Sequence, residues 1–143
     1  APDRVALCYA VTTLLEACDP PAMHDAYDLL LGNESENVSL RKQLSPSMHV
    51  EPSTPPLFIW HTVEDQTVPY THSLTMFNKA REAGVQAELH LYAAEGRAGR
   101  HAQGLALGNK AICGWSTQLL AWLGPEWQRT TVKTTRPSSQ LWS

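Results

Sequence analysis

Apolar and polar positions along the chain alternate between two rhythms. Arg4 to Val11 is a short run of apolar, β-branched and aromatic residues behind Pro2. It lacks clean alternation, which predicts a strand covered on both faces. Asp19-Pro20-Pro21 marks a loop over Cys18 to Met23. His24 to Leu31 is predicted as a short helix with Ala26, Leu29 and Leu30 on its apolar face and Gly32 as its stop. Asn33 to Leu44 is predicted as a second helix, capped by Asn33 or Ser35. Ser45 to Pro55 carries three prolines and reads as a loop.

The sharpest change of pattern comes next. Leu57 to Thr62 is predicted as a buried strand, stopping abruptly at the acidic turn Glu64-Asp65. A helix is expected to begin within Gln66 to Pro69 and run to about Ala83. Leu74, Phe77 and Ala80 form its stripe, Lys79 and Arg81 lie near its end, and Gly84 follows it. Val85 to Tyr92 alternates apolar with polar residues, so this third strand belongs nearer a sheet edge. Ala93 to Gln103 is a loop rich in Gly and Arg that contains His101. Gly104 to Leu123 is predicted as the longest helix, with Ile112, Trp115, Ser116, Leu119, Trp122 and Leu123 inward and Gly124-Pro125 as its end. Glu126 to Ser143 is rich in Thr and Ser and has no period, as expected for a flexible tail.

Strands alternating with helices imply a parallel sheet with right-handed crossovers, an α/β fold of about three strands. Three strands are few, and a strand as apolar as Leu57 to Thr62 needs neighbours on both sides. A chain that opens on a core strand is expected to be preceded by further sheet. The division is therefore residues 1–124 as one α/β unit and 125–143 as the tail.

Composition narrows the function classes. The 143 residues are 43% hydrophobic and 17% charged, compatible with one domain and a packed core. A net charge of −3 gives no electrostatic case for nucleic acid or an anionic membrane as partner. No apolar run approaches the roughly 20 residues that span a bilayer. Cys8, Cys18 and Cys113 lack metal-ligand spacing and read as buried or incidental thiols, a Cys8–Cys18 disulfide having no support. Asn33-Glu34-Ser35 and Asn37-Val38-Ser39 match the glycosylation sequon, and localisation stays open.

The chemistry lies in two loops. In open parallel sheets ligands sit at the carboxyl ends of the strands. Here the second strand delivers Asp65 and the third is followed by His101. An acid and then a histidine on consecutive strand-end loops is the back half of a Ser…Asp…His order. Such a His accepts the proton of a nucleophile, while the Asp fixes its tautomer and stabilises the imidazolium.

Val5-Ala6-Leu7-Cys8-Tyr9, Leu30-Leu31-Gly32, Leu44-Ser45-Pro46 and Thr54-Pro55-Pro56-Leu57-Phe58-Ile59-Trp60-His61-Thr62 occur in one order with Asp65-x-x-Val68-Pro69 and His101-x-x-Gly104-Leu105-Ala106. Together they resemble the C-terminal half of α/β-hydrolase esterases, in the acetyl-esterase or acetyl-xylan-esterase-like group that includes carbohydrate acetyl and feruloyl esterases. The resemblance implies Asp65 as triad acid, ranked above Glu64 by its spacing to Val68-Pro69, and His101 as triad base. No cofactor and no metal are expected, since the histidines and cysteines lack ligand spacing. The family's Gly-x-Ser-x-Gly and His-Gly-Gly segments are absent from the sequence. Gly114-Trp115-Ser116-Thr117-Gln118 comes nearest, but in the wrong order, so Ser116 is not expected to be a nucleophile. The His loop is also longer than the family's by Arg97-Ala98-Gly99-Arg100, and Ala102 stands where Gly is usual.

The other chemically capable residues have plainer readings. His61 packs and hydrogen-bonds at a strand end; His24, His49, His72 and His90 have no metal spacing. Arg97 and Arg100 fit solvated loop charges, and Trp60, Trp115 and Trp122 fit a core. The leading expectation is therefore a fragment of a serine carboxylic-ester hydrolase that deacetylates carbohydrates or small esters, with little activity alone. Its partners would be the acylated substrate and the missing N-terminal half of the fold. Two alternatives stay open: a non-catalytic module that binds or self-associates through its open sheet edge, and a peptidase of the same fold.

Overall fold

The computed structural model describes residues 2–15, 19–93, 101, 105 and 112–124. Three strands, β1 (Val5–Cys8), β2 (Leu57–Thr62) and β3 (Ala87–Tyr92), form one parallel sheet in that order. Helices α1 (Pro21–Leu31) and α2 (Val38–Leu44) lie between β1 and β2, α3 (Thr71–Glu82) between β2 and β3, and α4 (Trp115–Leu123) after β3. Two 3₁₀ turns, Gly32–Glu34 and Pro46–His49, flank α2.

The central strand explains the layering. All six residues of β2 are buried. Because side chains alternate across a strand, Leu57 and Ile59 face one way and pack with Met76, Ala80 and Val85 on the α3 side. Phe58 and Trp60 face the other way, against Ile112, Trp115, Leu119 and Trp122. Burying each of these large side chains stabilises the fold by roughly 1.5–3 kcal/mol. A third cluster, Leu14, Met23, Tyr27 and Val68, seats α1 near the end of the sheet where β2 gives way to α3. As expected of its alternating pattern, β3 is an edge strand of the described sheet.

Several boundaries differ from the sequence reading. Helix α1 begins at Pro21, inside the expected loop. Proline is accommodated at the first helical position, where its missing N–H has no partner to lose. Its buried face is Met23 and Tyr27, whereas Leu29 is 90% and Leu30 65% exposed. Helix α2 starts later than expected, because the Asn37 side chain accepts from the Leu40 amide and so sets the cap. Helix α3 starts at Thr71, after Pro69, since the preceding residues close a turn on Asp65. Its inward stripe is His72, Ser73, Met76 and Ala80, with Leu74 exposed. Gly84 takes φ 75° directly after this helix and its amide bonds back to Arg81 O, the left-handed stop expected of it.

The predicted helix from Gly104 is described only as α4. Leu105 has φ 57°, outside helical backbone, and residues 112–114 form a turn, so α4 begins at Trp115. Of its expected stripe, Trp115, Leu119 and Trp122 pack on the sheet, while Ser116 is exposed. Arg97, Arg100 and the tail from residue 125 lie outside the described residues, as does Cys18. Cys8 is a half-buried free thiol and Cys113 is exposed. Among the described residues no helix is long and apolar enough to cross a membrane.

Candidate active site

Asp65 sits in the turn that ends β2. Its Oδ1 accepts the amides of Thr67 at 2.9 Å and Val68 at 3.0 Å, closing the turn over its own side chain. This places the carboxylate at the C-terminal end of the sheet with its side chain fully shielded from solvent. Oδ2 accepts from His101 Nδ1 at 2.8 Å. Glu64, one residue earlier, is exposed. The two residues singled out by the sequence are therefore in direct contact, and the competing acid is exposed.

His101 is 26% exposed at its side chain. The ring of Tyr9 stands edge-on to it at 5.2 Å and edge-on to Trp60 at 5.0 Å. Tyr9 follows β1 directly and its backbone has φ 41°, an uncommon value for a residue with a Cβ. Its amide still donates to Trp60 O at 2.9 Å, so the end of β1 turns while remaining tied to β2. Strain of this kind costs on the order of 1–3 kcal/mol and persists where surrounding packing holds it.

His61 is fully buried on the α3 side of β2. Its Nδ1 is 2.7 Å from Ser73 Oγ, and its Nε2 is 2.9 Å from Val68 O and 3.4 Å from Asp65 Oδ2. Burial alone pushes the Asp65 carboxyl up. The hydrogen bonds from His61, the Val68 amide, His101 and the Thr67 amide outweigh it and hold the carboxyl below the ordinary range. The carboxylate is thus the stable form at neutral pH, which is the state that can orient an imidazole.

A further buried histidine–carboxylate contact, on a different aspartate, was not anticipated. His72 Nε2 lies 2.9 Å from Asp19 Oδ1, both side chains being shielded from solvent. The Tyr27 hydroxyl donates to the other Asp19 oxygen, and the Thr12 amide points at His72 Nδ1 at 3.4 Å. No local sequence signal joins Asp19 to His72, which are 53 residues apart. Sequence inspection also missed Ser73, which comes from another element, and the reach of His61 to Asp65, which is only four residues away but depends on how the turn after β2 folds back.

The remaining candidates sit apart. His24 is exposed and rests against Tyr27, His49 bonds to Gln43 O, and His90 to Glu88. Ser116 Oγ donates to Cys113 O on the outside of α4. Trp60 is core, stacked on Trp115 with ring centres 5.2 Å apart. Among the described residues no group of three His, Cys, Asp or Glu side chains is arranged to hold a metal ion.

With this geometry established, comparison with known proteins finds the BD-FAE family model matching residues 4–80. An acetyl ester-xyloside bifunctional hydrolase from Caldicellulosiruptor lactoaceticus is 32% identical, with a TM-score of 0.72 over 85% of this chain. A sugar hydrolase from Lactococcus lactis is 28% identical, with a TM-score of 0.61 over 90% of it. A carboxylesterase from Lactobacillus plantarum shares the fold at 21% identity, with a TM-score of 0.60 over 89% of it. The chain spans 42%, 50% and 45% of those three proteins, respectively. No curated protein sequence matches it.

Proposed function

We propose, since the chain belongs to the BD-FAE family of α/β-hydrolase-fold esterases, that it carries the acid and base of a serine carboxylic-ester hydrolase. The observation that carries this reading is the 2.8 Å contact between His101 Nδ1 and Asp65 Oδ2 beyond the C-terminal end of β2. An ionised, buried Asp65 holds the proton on Nδ1, which gives Nε2 the role of proton acceptor. The nucleophilic serine and the oxyanion-hole amides come from polypeptide outside this sequence, the N-terminal half of the fold. That serine attacks the ester carbonyl while His101 takes its proton. His101 then returns the proton to the departing alcohol, and water, activated in the same way, releases the acid from the acyl-enzyme. Acetyl groups on carbohydrates or small alcohols are the proposed substrates, supported by the acetyl ester-xyloside hydrolase at 32% identity. Residues 1–124 form the hydrolase unit in this reading, and 125–143 a tail.

The edge of the sheet supports the second half of the proposal. The amide of Tyr9 bonds to Trp60 O in β2, and that of Val5 to Pro56 O just before it. Backbone groups alternate along a strand, so those of Ala6 and Cys8 point away from β2, to the side of β1 that has no strand among the described residues. Beside this edge is a mostly apolar hollow of about 350 Å³ between Val5, Ala6, Leu119, Trp122 and Leu123, with Asp3 and Arg4 also lining it. An exposed strand edge and an apolar hollow together suit the other half of the fold, or self-association of this chain in its absence.

The test is hydrolysis of a short-chain aryl ester by this chain, alone and joined to an upstream segment containing Gly-x-Ser-x-Gly. Turnover is expected only in the joined protein and is expected to disappear in His101→Ala. Robust turnover by the chain alone, surviving Ser116→Ala, overturns the division of labour. A joined protein that folds without turning over ester overturns the activity.

A further inference from the structure

Both Asp65 oxygens are held from two sides. Oδ1 takes the Thr67 and Val68 amides at 2.9 and 3.0 Å. Oδ2 takes His101 at 2.8 Å and faces His61 Nε2 at 3.4 Å. His61 acts on this turn twice, because the same nitrogen bonds to the carbonyl of Val68 at 2.9 Å. Val68 is the residue whose amide grips Oδ1, so one buried ring braces both sides of the carboxylate. Nε2 faces two acceptors and must carry the proton. Nδ1 then accepts from the Ser73 hydroxyl at 2.7 Å. Ser73 is itself fully buried in the first turn of α3.

We propose that His61, oriented by Ser73, is a positioning residue that aims Asp65 at His101. The proposal rests on the reading of Asp65 and His101 as acid and base. His61 acts through Asp65 and is enclosed by β2, the 65–68 turn and α3. Any buried imidazole needs partners for its nitrogens; what a histidine that only filled space would not need is contact with both the carboxylate and the turn that grips it. The order of influences on Asp65 agrees: burial raises its carboxyl, and His61 heads the hydrogen bonds that bring it below the ordinary range.

The ionisable groups facing Asp65 are His61 from β2 and His101 from the loop after β3. From α3, Ser73 faces His61 and is uncharged, while His72 is directed to Asp19. Glu64 adjoins Asp65 in sequence and is exposed. A change in Asp65 titration on altering His61 or Ser73 therefore reports the brace itself.

The experiment follows the Asp65 side-chain carboxyl by ¹³C NMR through an acid titration of this chain. Wild type is compared with His61→Leu, His61→Gln and Ser73→Ala. Glutamine places an N–H near the position of imidazole Nε2, so it can replace the donor. The expected result is an upward move of the Asp65 transition in His61→Leu, a smaller upward move in Ser73→Ala, and return towards wild type in His61→Gln. A folded His61→Leu chain in which Asp65 titrates as in wild type overturns the proposal. So does Ser73→Ala with an unchanged transition, which decides the matter if His61→Leu does not fold. This readout needs no turnover: loss of the ester-hydrolase reading leaves the titration result standing, and an active joined protein with no titration change defeats the positioning role alone.

Discussion

His101 Nδ1 donates to Asp65 Oδ2 over 2.8 Å, although 36 residues separate the two. The strands that precede them, β2 and β3, pair residue for residue from Leu57–Ala87 to Thr62–Tyr92. In register, the strands bring the loops that follow them to the same end of the sheet. Asp65→Asn is therefore the cleanest probe of the proposed chemistry. It keeps the size of the side chain while making the wrong tautomer of His101 available. In a protein joined to its nucleophile, kcat is expected to fall by about 10⁴-fold with little change in KM. Steady-state kinetics on a short-chain ester checks this, and a KM effect with unchanged kcat would assign Asp65 to binding instead.

The same carboxylate makes stability depend on acid. Its folded-state pKa lies below its unfolded value. The resulting stabilisation is fully present above the unfolded pKa, near 3.9 for Asp. It is lost as pH falls through the folded value. Wild type is expected to lose stability faster than Asp65→Asn on acidification below about pH 5, so the two converge. Urea melts at stepped pH values measure the difference, and a constant gap would remove Asp65 from the acid response.

Much of this arrangement is legible in the sequence because it is local. An apolar run as uniform as Leu57 to Thr62 fits a strand covered on both faces, and β2 has those bounds. The turn at Asp65 is written in the short span from Asp65 to Pro69. Helix faces were harder. Met23 and Tyr27 turn inward from α1, not Ala26, Leu29 and Leu30, because the neighbours Leu14 and Val68 come from remote stretches. Pro20 and Pro21 read as loop because proline breaks helices in their interior, yet Pro21 opens α1. His61, Ser73, Asp19 and His72 acquire meaning only from tertiary contacts.

Gly84 gives a separate test of a backbone constraint. Its φ of 75° is left-handed, and a Cβ built there meets nothing within 4 Å. A substitution thus costs backbone conformation without a steric clash. Gly84→Ala is expected to destabilise the chain by about 1 kcal/mol. Gly84→Asn should cost less, since Asn tolerates this region better. Equal thermal stability of all three would show that α3 can end without the left-handed residue.

The Asp19–His72 pair provides the strongest stability test outside the proposed site. Both side chains are shielded from solvent, and Tyr27 and Thr12 supply further hydrogen bonds. Removing one partner leaves a buried polar group unsatisfied, so His72→Leu or Asp19→Leu is expected to cost about 3–5 kcal/mol. Removing both should cost less than the sum, because the second change relieves the group stranded by the first. His72 and Ser73 are adjacent in the first turn of α3, one held by Asp19 and the other facing His61. The His72 variants are therefore expected to loosen the Ser73–His61 contact as well as the fold. Urea denaturation of the four-member cycle measures the coupling. Strictly additive losses would mean that Asp19 and His72 are each stabilised by other partners, and that the contact between them contributes little.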